Sequence, residues 1–513
     1  MYPTYKHNSR RIMAMTIVAT LFTGVAARPV ELLPEIQRLA LPIEQERTKI
    51  YTDNPAQMFY RDSITLSSAG ASADILRQQK PVMEQLGNGH TLFGLNAQSY
   101  TRLNSVSVVW GAAEFRTGNY RELRWTDCID YERVAPYVLG DEVGGNLSTR
   151  RYTFSGGYSR QYADVWTIGA DAAYRAEIAY RNHDPRVKTV VSDLDLRFGV
   201  ARAMGGSTVG ISTGLNVYNQ NCDLDFYNPI NDINTYTLTG LGTYYRRFMG
   251  NTNKNSGYQS LGYSVSAQWL PKDGNGLSAQ VSVKGYRMNQ MLRNFNNLTL
   301  GYTDNNTIAA SAAWRMNLSP TLTFRPMIYG QLFTRKGTEN LFGTTAGSSY
   351  DKIGDRKPYT HNMANACIVL PVQISIGQSY ITLAPSATYD HNLEKYNSPK
   401  RRLCSSRITP ALMADFSSRN STWLWNVSCN GFYGIASSEE PILTDLDLSS
   451  TLGKCVEHSF NMLSTNRTGF GISAKFGRTV KSIVLSISAS YNYTNYNGQG
   501  NCQGASLGLS AEF

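Results

Sequence analysis

From about Phe59 to the C-terminus the chain repeats one pattern, a run of roughly 9 to 14 residues in which apolar and polar side chains alternate, followed by a turn or a polar loop. A period of two predicts β-strands, because successive side chains point to opposite faces. In Trp166 to Tyr180 one row is Trp166, Ile168, Ala170, Ala172, Tyr174, Ala176, Ile178 and Tyr180, while Asp171, Arg175 and Glu177 fall on the other. The next run sets Leu194, Leu196, Phe198 and Val200 against Asp193, Asp195 and Arg197. Later runs repeat the arrangement, with Leu277, Ala279, Val281 and Val283 opposite Lys284, and Ile381, Leu383, Ala387 and Tyr389 opposite Asp390. Arg325, Arg407, Asp415 and Lys475 also keep to the polar parity.

Twelve mid-strand charges thus avoid the apolar row. In lipid this avoidance is required, since an Arg or Lys facing the bilayer midplane costs roughly 2–4 kcal/mol. A soluble β-sandwich would also alternate, but its inner row would be a second apolar core. Here the polar rows are Ser, Thr, Gly and Asn, and Tyr and Trp gather near strand ends. The expected fold is all-β, a closed antiparallel transmembrane β-barrel of about 18–20 strands, an even number preferred. Short turns are expected near Ala203 to Gly206, Asn317 to Pro320, Gly377-Gln378, Ser417-Ser418 and Arg478 to Lys481. Longer external loops are expected near 127–147, 219–236, 288–306, 336–357 and 436–453, and 237–257 leaves the up-down order open.

The first 27 residues read as a signal peptide: Lys6, Arg10 and Arg11 precede the apolar run Ile12 to Phe22 and the small residues of Thr23 to Ala27. In residues 28–56, Leu32, Leu33, Ile36 and Leu39 recur at helical spacing before Asn54-Pro55-Ala56 breaks the pattern, which predicts a short periplasmic or plug-like segment ahead of a barrel at 57–513. The formal charge of +11 falls to +8 without the signal peptide, too mild a surplus in a chain of 513 residues to indicate nucleic-acid binding. Seven cysteines (Cys128, Cys222, Cys367, Cys404, Cys429, Cys455, Cys502) without CxxC spacing predict neither a metal centre nor a fully paired disulfide framework, and leave room for one or two disulfides.

The chain ends with Ala505, Leu507, Leu509, Ala511 and Phe513 alternating with Gly504, Ser506, Gly508, Ser510 and Glu512. This strand resembles the last strand of bacterial outer-membrane barrels. The resemblance implies a multi-pass barrel in a Gram-negative outer membrane, in contact with its lipid, and recognition of Leu507, Leu509 and Phe513 by the barrel-assembly machinery. Asn54-Pro55-Ala56 resembles the start of barrels similar to long-chain fatty-acid transporters. The Tyr-, Asn- and Gly-rich strands, together with that segment and the terminal Phe, resemble the uncharacterised large outer-membrane barrels of Bacteroidota, a domain of unknown function. The lead-in is too short for the folded plug of a TonB-dependent receptor, whose barrel has about 22 strands.

No cofactor, metal or catalytic residue is expected. The six histidines (His7, His90, His183, His361, His391, His458) form no pairing motif, and Asp390 and His391, adjacent in a strand, point to opposite faces. Asn221 to Asp225 alternates oxygen donors like the opening of a calcium loop, but Phe226 stands where Gly is needed, and Asp445-Leu446-Asp447 is an ordinary polar stretch. The expected lumen carries six bases (Arg175, Arg197, Lys284, Arg325, Arg407, Lys475) and six acids (Asp171, Glu177, Asp193, Asp195, Asp390, Asp415). A ring of one sign would indicate an ion-selective pore. Balance points to neutral or mixed solutes, or to internal ion pairs in a closed lumen. The leading expectation is a channel or substrate-selective transporter; the alternative is a non-conducting surface scaffold working with a partner lipoprotein or secretion component.

Overall fold

The computed structural model describes residues 50–513, apart from 229, 231, 251, 253, 347 and 348. The expected signal peptide and residues 28–49 lie outside the described residues.

Twenty-one strand segments form one sheet. Three of them, Leu322–Phe324, Val372–Ile376 and Ile442–Leu443, are short pieces that continue or flank longer strands, which leaves a wall of 18. Each wall strand, from Leu66–Gln78 to Gly500–Glu512, lies antiparallel to its neighbours. The last pairs back on the first, with Ser68 opposite Glu512 and Gln78 opposite Cys502. Beyond that register Ser67 and Phe513 exchange two backbone hydrogen bonds of 2.7 and 2.9 Å. The circle therefore has no open edge. An even strand number brings Leu66 and Phe513 to one rim, the turn end, where links are as short as Gly205-Gly206 and Lys481-Ser482. The long connections sit at the opposite, loop end.

The apolar rows form the outside. Ile168, Phe198, Leu261, Val281, Leu383, Ile487 and Leu509 are all exposed, a continuous apolar belt that a water-soluble monomer does not present.

The connections differ from expectation in several places. Asn221 to Asp225 belongs to the wall strand Ser207–Asp225, and Gly276–Leu292 and Leu298–Asn317 are linked by only five residues. The strands Met327–Ala346 and Ser349–Val369 stay paired nearly to their tips. Hairpin pairing needs no apolar row once it leaves lipid, so polar stretches that read as loops continue as strand. The 436–453 region leads into the helix Thr451–Leu463. The turn expected at Ser417-Ser418 falls at Asn420 to Thr422, and Thr235–Gly240 joins Val138–Asp141 and Thr243–Tyr244 in a separate small sheet.

The wall begins at Leu66, later than the expected boundary at 57. Residues 50–62 lie inside the barrel at the turn end as two 3-10 turns, Ile50–Asp53 and Gln57–Tyr60, joined by Asn54-Pro55-Ala56. Met58 and Phe59 pack on Tyr100 and Val108, so their apolar character serves the interior rather than a strand. The Asn54 side-chain oxygen accepts from the Ala56 amide at 2.9 Å, and the Gln57 amide donates to the Asn54 carbonyl at 2.9 Å. Around this turn the wall donates to the segment's carbonyls: Ser159 to Ala56, Tyr100 to Met58, and Arg102 to Phe59 and Asp62. The wall residues beneath it are glycines. A Cβ on Gly169 would stand 2.4 Å from the Pro55 carbonyl carbon, and one on Gly199 1.9 Å from the Asn54 side-chain oxygen.

Replacing Gly199 with Val is therefore expected to expel Asn54 to Gln57 while the barrel stays closed. A cysteine placed at Gln57, buried in the parent protein, becomes reactive to a water-soluble maleimide in the Gly199→Val background only, with heat-modifiable gel migration unchanged in both.

Candidate functional site

After Leu123 the chain turns into the lumen. Glu122 and Trp125 adopt positive φ of 52° and 58°, and the Trp125 and Asp127 amides donate to the Asp141 and Leu139 carbonyls, closing residues 125–141 into a compact excursion. Gly140 permits the approach, since a Cβ there would meet the Trp125 carbonyl carbon at 2.4 Å. Asp141 fastens the base of the excursion to the rim. It forms a buried ion pair with Arg181 at 2.6 Å and accepts from the Val143 and Gly144 amides. Trp125, Cys128, Val134 and Val138 then pack on the wall residues Val191, Tyr218, Cys222, Tyr258 and Met288.

At the tip, loop charges meet the charges expected in the lumen. Arg175 binds Asp130 with both guanidinium nitrogens and also reaches Glu177 at 3.2 Å and Asp193 at 3.4 Å. Arg133 donates to Asp193 at 2.9 Å and lies over the Tyr218 ring at 3.9 Å. The Tyr218 hydroxyl donates to Asp130 at 2.8 Å. Asn216 joins Asp193 and Asp195 with bonds of 2.8 and 2.9 Å. From the far wall Arg335 donates to the Glu132 carbonyl at 2.9 Å, so the loop spans the lumen. Burial pushes the Asp130 carboxyl up, but the hydrogen bonds and charge of Arg175 outweigh it and leave the group below its ordinary value.

The remaining expected lumen charges are dispersed. Arg197 pairs with Asp171 at 2.6 Å nearer the turn end, and Lys475 pairs with Glu512 at 2.8 Å. Asp415 accepts from Ser417 and Asn426, and Asp390 from Asn365. Arg325 lies at the break between Leu322–Phe324 and Met327–Ala346. Arg407 donates to the Leu463 and Thr465 carbonyls at 2.7 and 3.0 Å, where a cation complements the C-terminal end of the helix Thr451–Leu463. That helix closes over the mouth. Ser450 caps its N-terminus through the Gly453 amide, Thr451 donates to Glu142, and the His458 ring bonds the Pro81 carbonyl.

Beside the turn-end segment lies polar space. A cavity of about 460 Å³ is lined by Asp53, Arg197, Ser266, Gln280, Lys284 and Gln331 among others. A second, of about 210 Å³, also reaches Arg197 and is floored by Thr52, Met58 and Arg61.

Several expected features resolve into structural roles. Asp390 and His391 have separate partners, His391 bonding Ser406 at 2.9 Å. Asp447 accepts from Ser449 just before the helix cap. Sequence reasoning missed Asp127, Asp130, Arg133 and Asp141, which lie in a stretch read as solvent loop. The signal was present in the mixture of Cys128, Ile129 and Tyr131 with both signs of charge. Near the base of the excursion, burial pushes the Asp127 carboxyl up to about 6 even though Cys128, Ser256 and Tyr258 all donate to it.

A double-mutant cycle with Asp130→Asn and Arg175→Gln is expected to give a coupling energy of about 1–3 kcal/mol. Amide-exchange protection of residues 125–141 reads it, and each single variant should loosen the loop nearly as much as the double.

Among curated proteins nothing matches this chain. Several solved structures share the barrel outline at low similarity. The ferric preacinetobactin receptor BauA from Acinetobacter baumannii is 9% identical with a TM-score of 0.40, over 88% of this chain and 79% of that one. The copper transporter OprC is 8% identical with a TM-score of 0.39, over 87% and 80%. The ferric citrate transporter FecA is 11% identical with a TM-score of 0.35, over 88% and 79%. At these scores the likeness carries nothing about what this barrel binds. One family model does match, over residues 55–513, so that it takes in the whole wall and the later part of the inner turn-end segment: the chain belongs to DUF6850, a family of unknown function.

Proposed function

We propose that this protein is an outer-membrane transporter that admits small polar or mixed-charge solutes and rests with its lumen closed. The observation that carries this reading is the polar cavity beside the turn-end segment, where Lys284 and Arg197 of the wall meet Asp53, Gln280 and Gln331. A cavity lined by both signs of charge and by amides suits a solute with donors and acceptors rather than a simple ion. Eighteen strands enclose a lumen too wide for wall side chains alone to fill, so the two inner segments act as the constrictions. On this reading the chain reaches the outer membrane through the barrel-assembly machinery, with Leu507, Leu509 and Phe513 as its signal.

A second reading is favoured by the mouth. The helix Thr451–Leu463 is tied to both Pro81 and Glu142, a rigid cover suited to a non-conducting barrel that presents a surface to a partner lipoprotein or secretion component.

Reconstitution into liposomes separates the two. Transport predicts swelling with small neutral and zwitterionic solutes, a rate several-fold different in Lys284→Glu, and faster flux when the lock is broken by Asp130→Asn with Asp193→Asn. No flux in any of the three proteins would remove transport, and a crosslinked partner recovered from outer membranes would then favour the scaffold.

A further inference from the structure

Cys128, on the inward loop, and Cys222, on the wall strand Ser207–Asp225, bring their sulfurs to 3.9 Å. Asp127 adds a carboxylate whose Oδ1 lies 3.0 Å from the Cys128 sulfur. One ligand atom from each of the three residues falls within 4.8 Å of the others. All three side chains are shut away from solvent, at 2%, 1% and 0% exposure for Asp127, Cys128 and Cys222. The carboxylate is held from behind by the Ser256 and Tyr258 hydroxyls. The Cys222 sulfur accepts from the Gln220 amide at 3.5 Å.

We propose that Asp127, Cys128 and Cys222 bind one thiophilic divalent cation of the zinc class, which latches the loop to the barrel wall. Two sulfurs on one tetrahedral ion with bonds of about 2.3 Å stand about 3.8 Å apart, the separation found here. A fully buried carboxylate is costly without a cation, and among the described residues no Arg or Lys pairs with Asp127. A bound ion supplies that partner directly. A disulfide would join the sulfurs but leave the carboxylate as it is. Binding converts two thiols to thiolates, so the ion displaces two protons and the site keeps a net charge of −1 while Asp127 becomes a ligand. Because protons and the ion compete for the two thiols, metal retention falls as pH drops. The three side chains are buried, so uptake of the ion accompanies inward folding of the loop. The site stands independently of what the barrel transports.

The test uses the full-length protein extracted from membranes without chelator. Elemental analysis after desalting is expected to give about one equivalent of zinc or a similar soft metal per chain. Refolding with Cd²⁺ should produce thiolate-to-metal charge-transfer absorption. That absorption should be lost in Cys128→Ser and Cys222→Ser, weakened by about tenfold or more in affinity in Asp127→Asn, and unchanged in Cys455→Ser, a buried cysteine of the same apolar cluster. Heat-modifiable migration establishes that each barrel has folded, and where a variant fails to fold, the parent's stoichiometry and Cd²⁺ spectrum decide. An intact mass two hydrogens short with Cys128 linked to Cys222 would overturn the proposal. Two free thiols with no metal retained after refolding with Zn²⁺ would overturn it equally.

Discussion

Closure of the last strand on the first is the interaction from which the rest follows. In lipid an unpaired backbone amide or carbonyl has no water to turn to, so a sheet must close on itself. Here Ala505 lies opposite Ile75 and Ala511 opposite Ala69, with the Ser67 and Phe513 backbones completing the seam. Closure at 18 strands fixes the parity of every wall residue at once, because a one-residue slip would carry a whole polar row into lipid. It also creates the problem that the remaining parts of the chain solve. A circle this wide cannot be filled by its own side chains, and its inward rows are Ser, Gly, Asn and charge rather than a hydrocarbon core.

The chain meets that problem with backbone. The turn-end segment docks where Gly169 leaves room for the Pro55 backbone and Gly199 and Gly210 for the Asn54 and Gln57 side chains. The loop 124–144 brings apolar and charged residues together, so that Trp125 and Val138 fill volume while Asp130 and Arg133 pair with Arg175 and Asp193. Buried charges are tolerated only when fully partnered. Arg133 finds a carboxylate, an amide and an aromatic face together, while its Nε has no hydrogen-bond partner.

How much of this was legible follows from which physical signal each part leaves in sequence. The wall strands write their period of two directly into the chain, because one face meets lipid and the other does not. The polar parity of Arg175 and Asp193 was legible as well. Their partners were not, because Asp130 and Arg133 sit in a stretch whose composition resembles any solvated loop, and only tertiary packing distinguishes them. The helix Thr451–Leu463 did leave a signal. Ser450 precedes Leu452, Cys455, Val456, Phe460 and Leu463 at helical spacing, but within 436–453 only its first turn was in view. The wall's start at Leu66 was hidden by Met58 and Phe59, whose apolar side chains face an interior cluster instead of lipid.

If the barrel transports as proposed, a closed lumen places an energetic condition on any passage through it. Moving a two-state gate from 1:99 to 99:1 takes about 5.5 kcal/mol of differential binding. The lock here combines the Asp130–Arg175 and Arg133–Asp193 pairs, the buried Asp141–Arg181 pair and an apolar cluster. A small solute in the cavity near Lys284 touches none of these directly. It can open the loop only if it competes for groups that the closed state uses, and Arg197, which faces both cavities while paired with Asp171, is the wall residue so placed. Asp171 and Arg197 share their strands with Arg175 and Asp193. On the proposed transport role, a solute that draws Arg197 away acts on the same two strands that hold the tip of the loop.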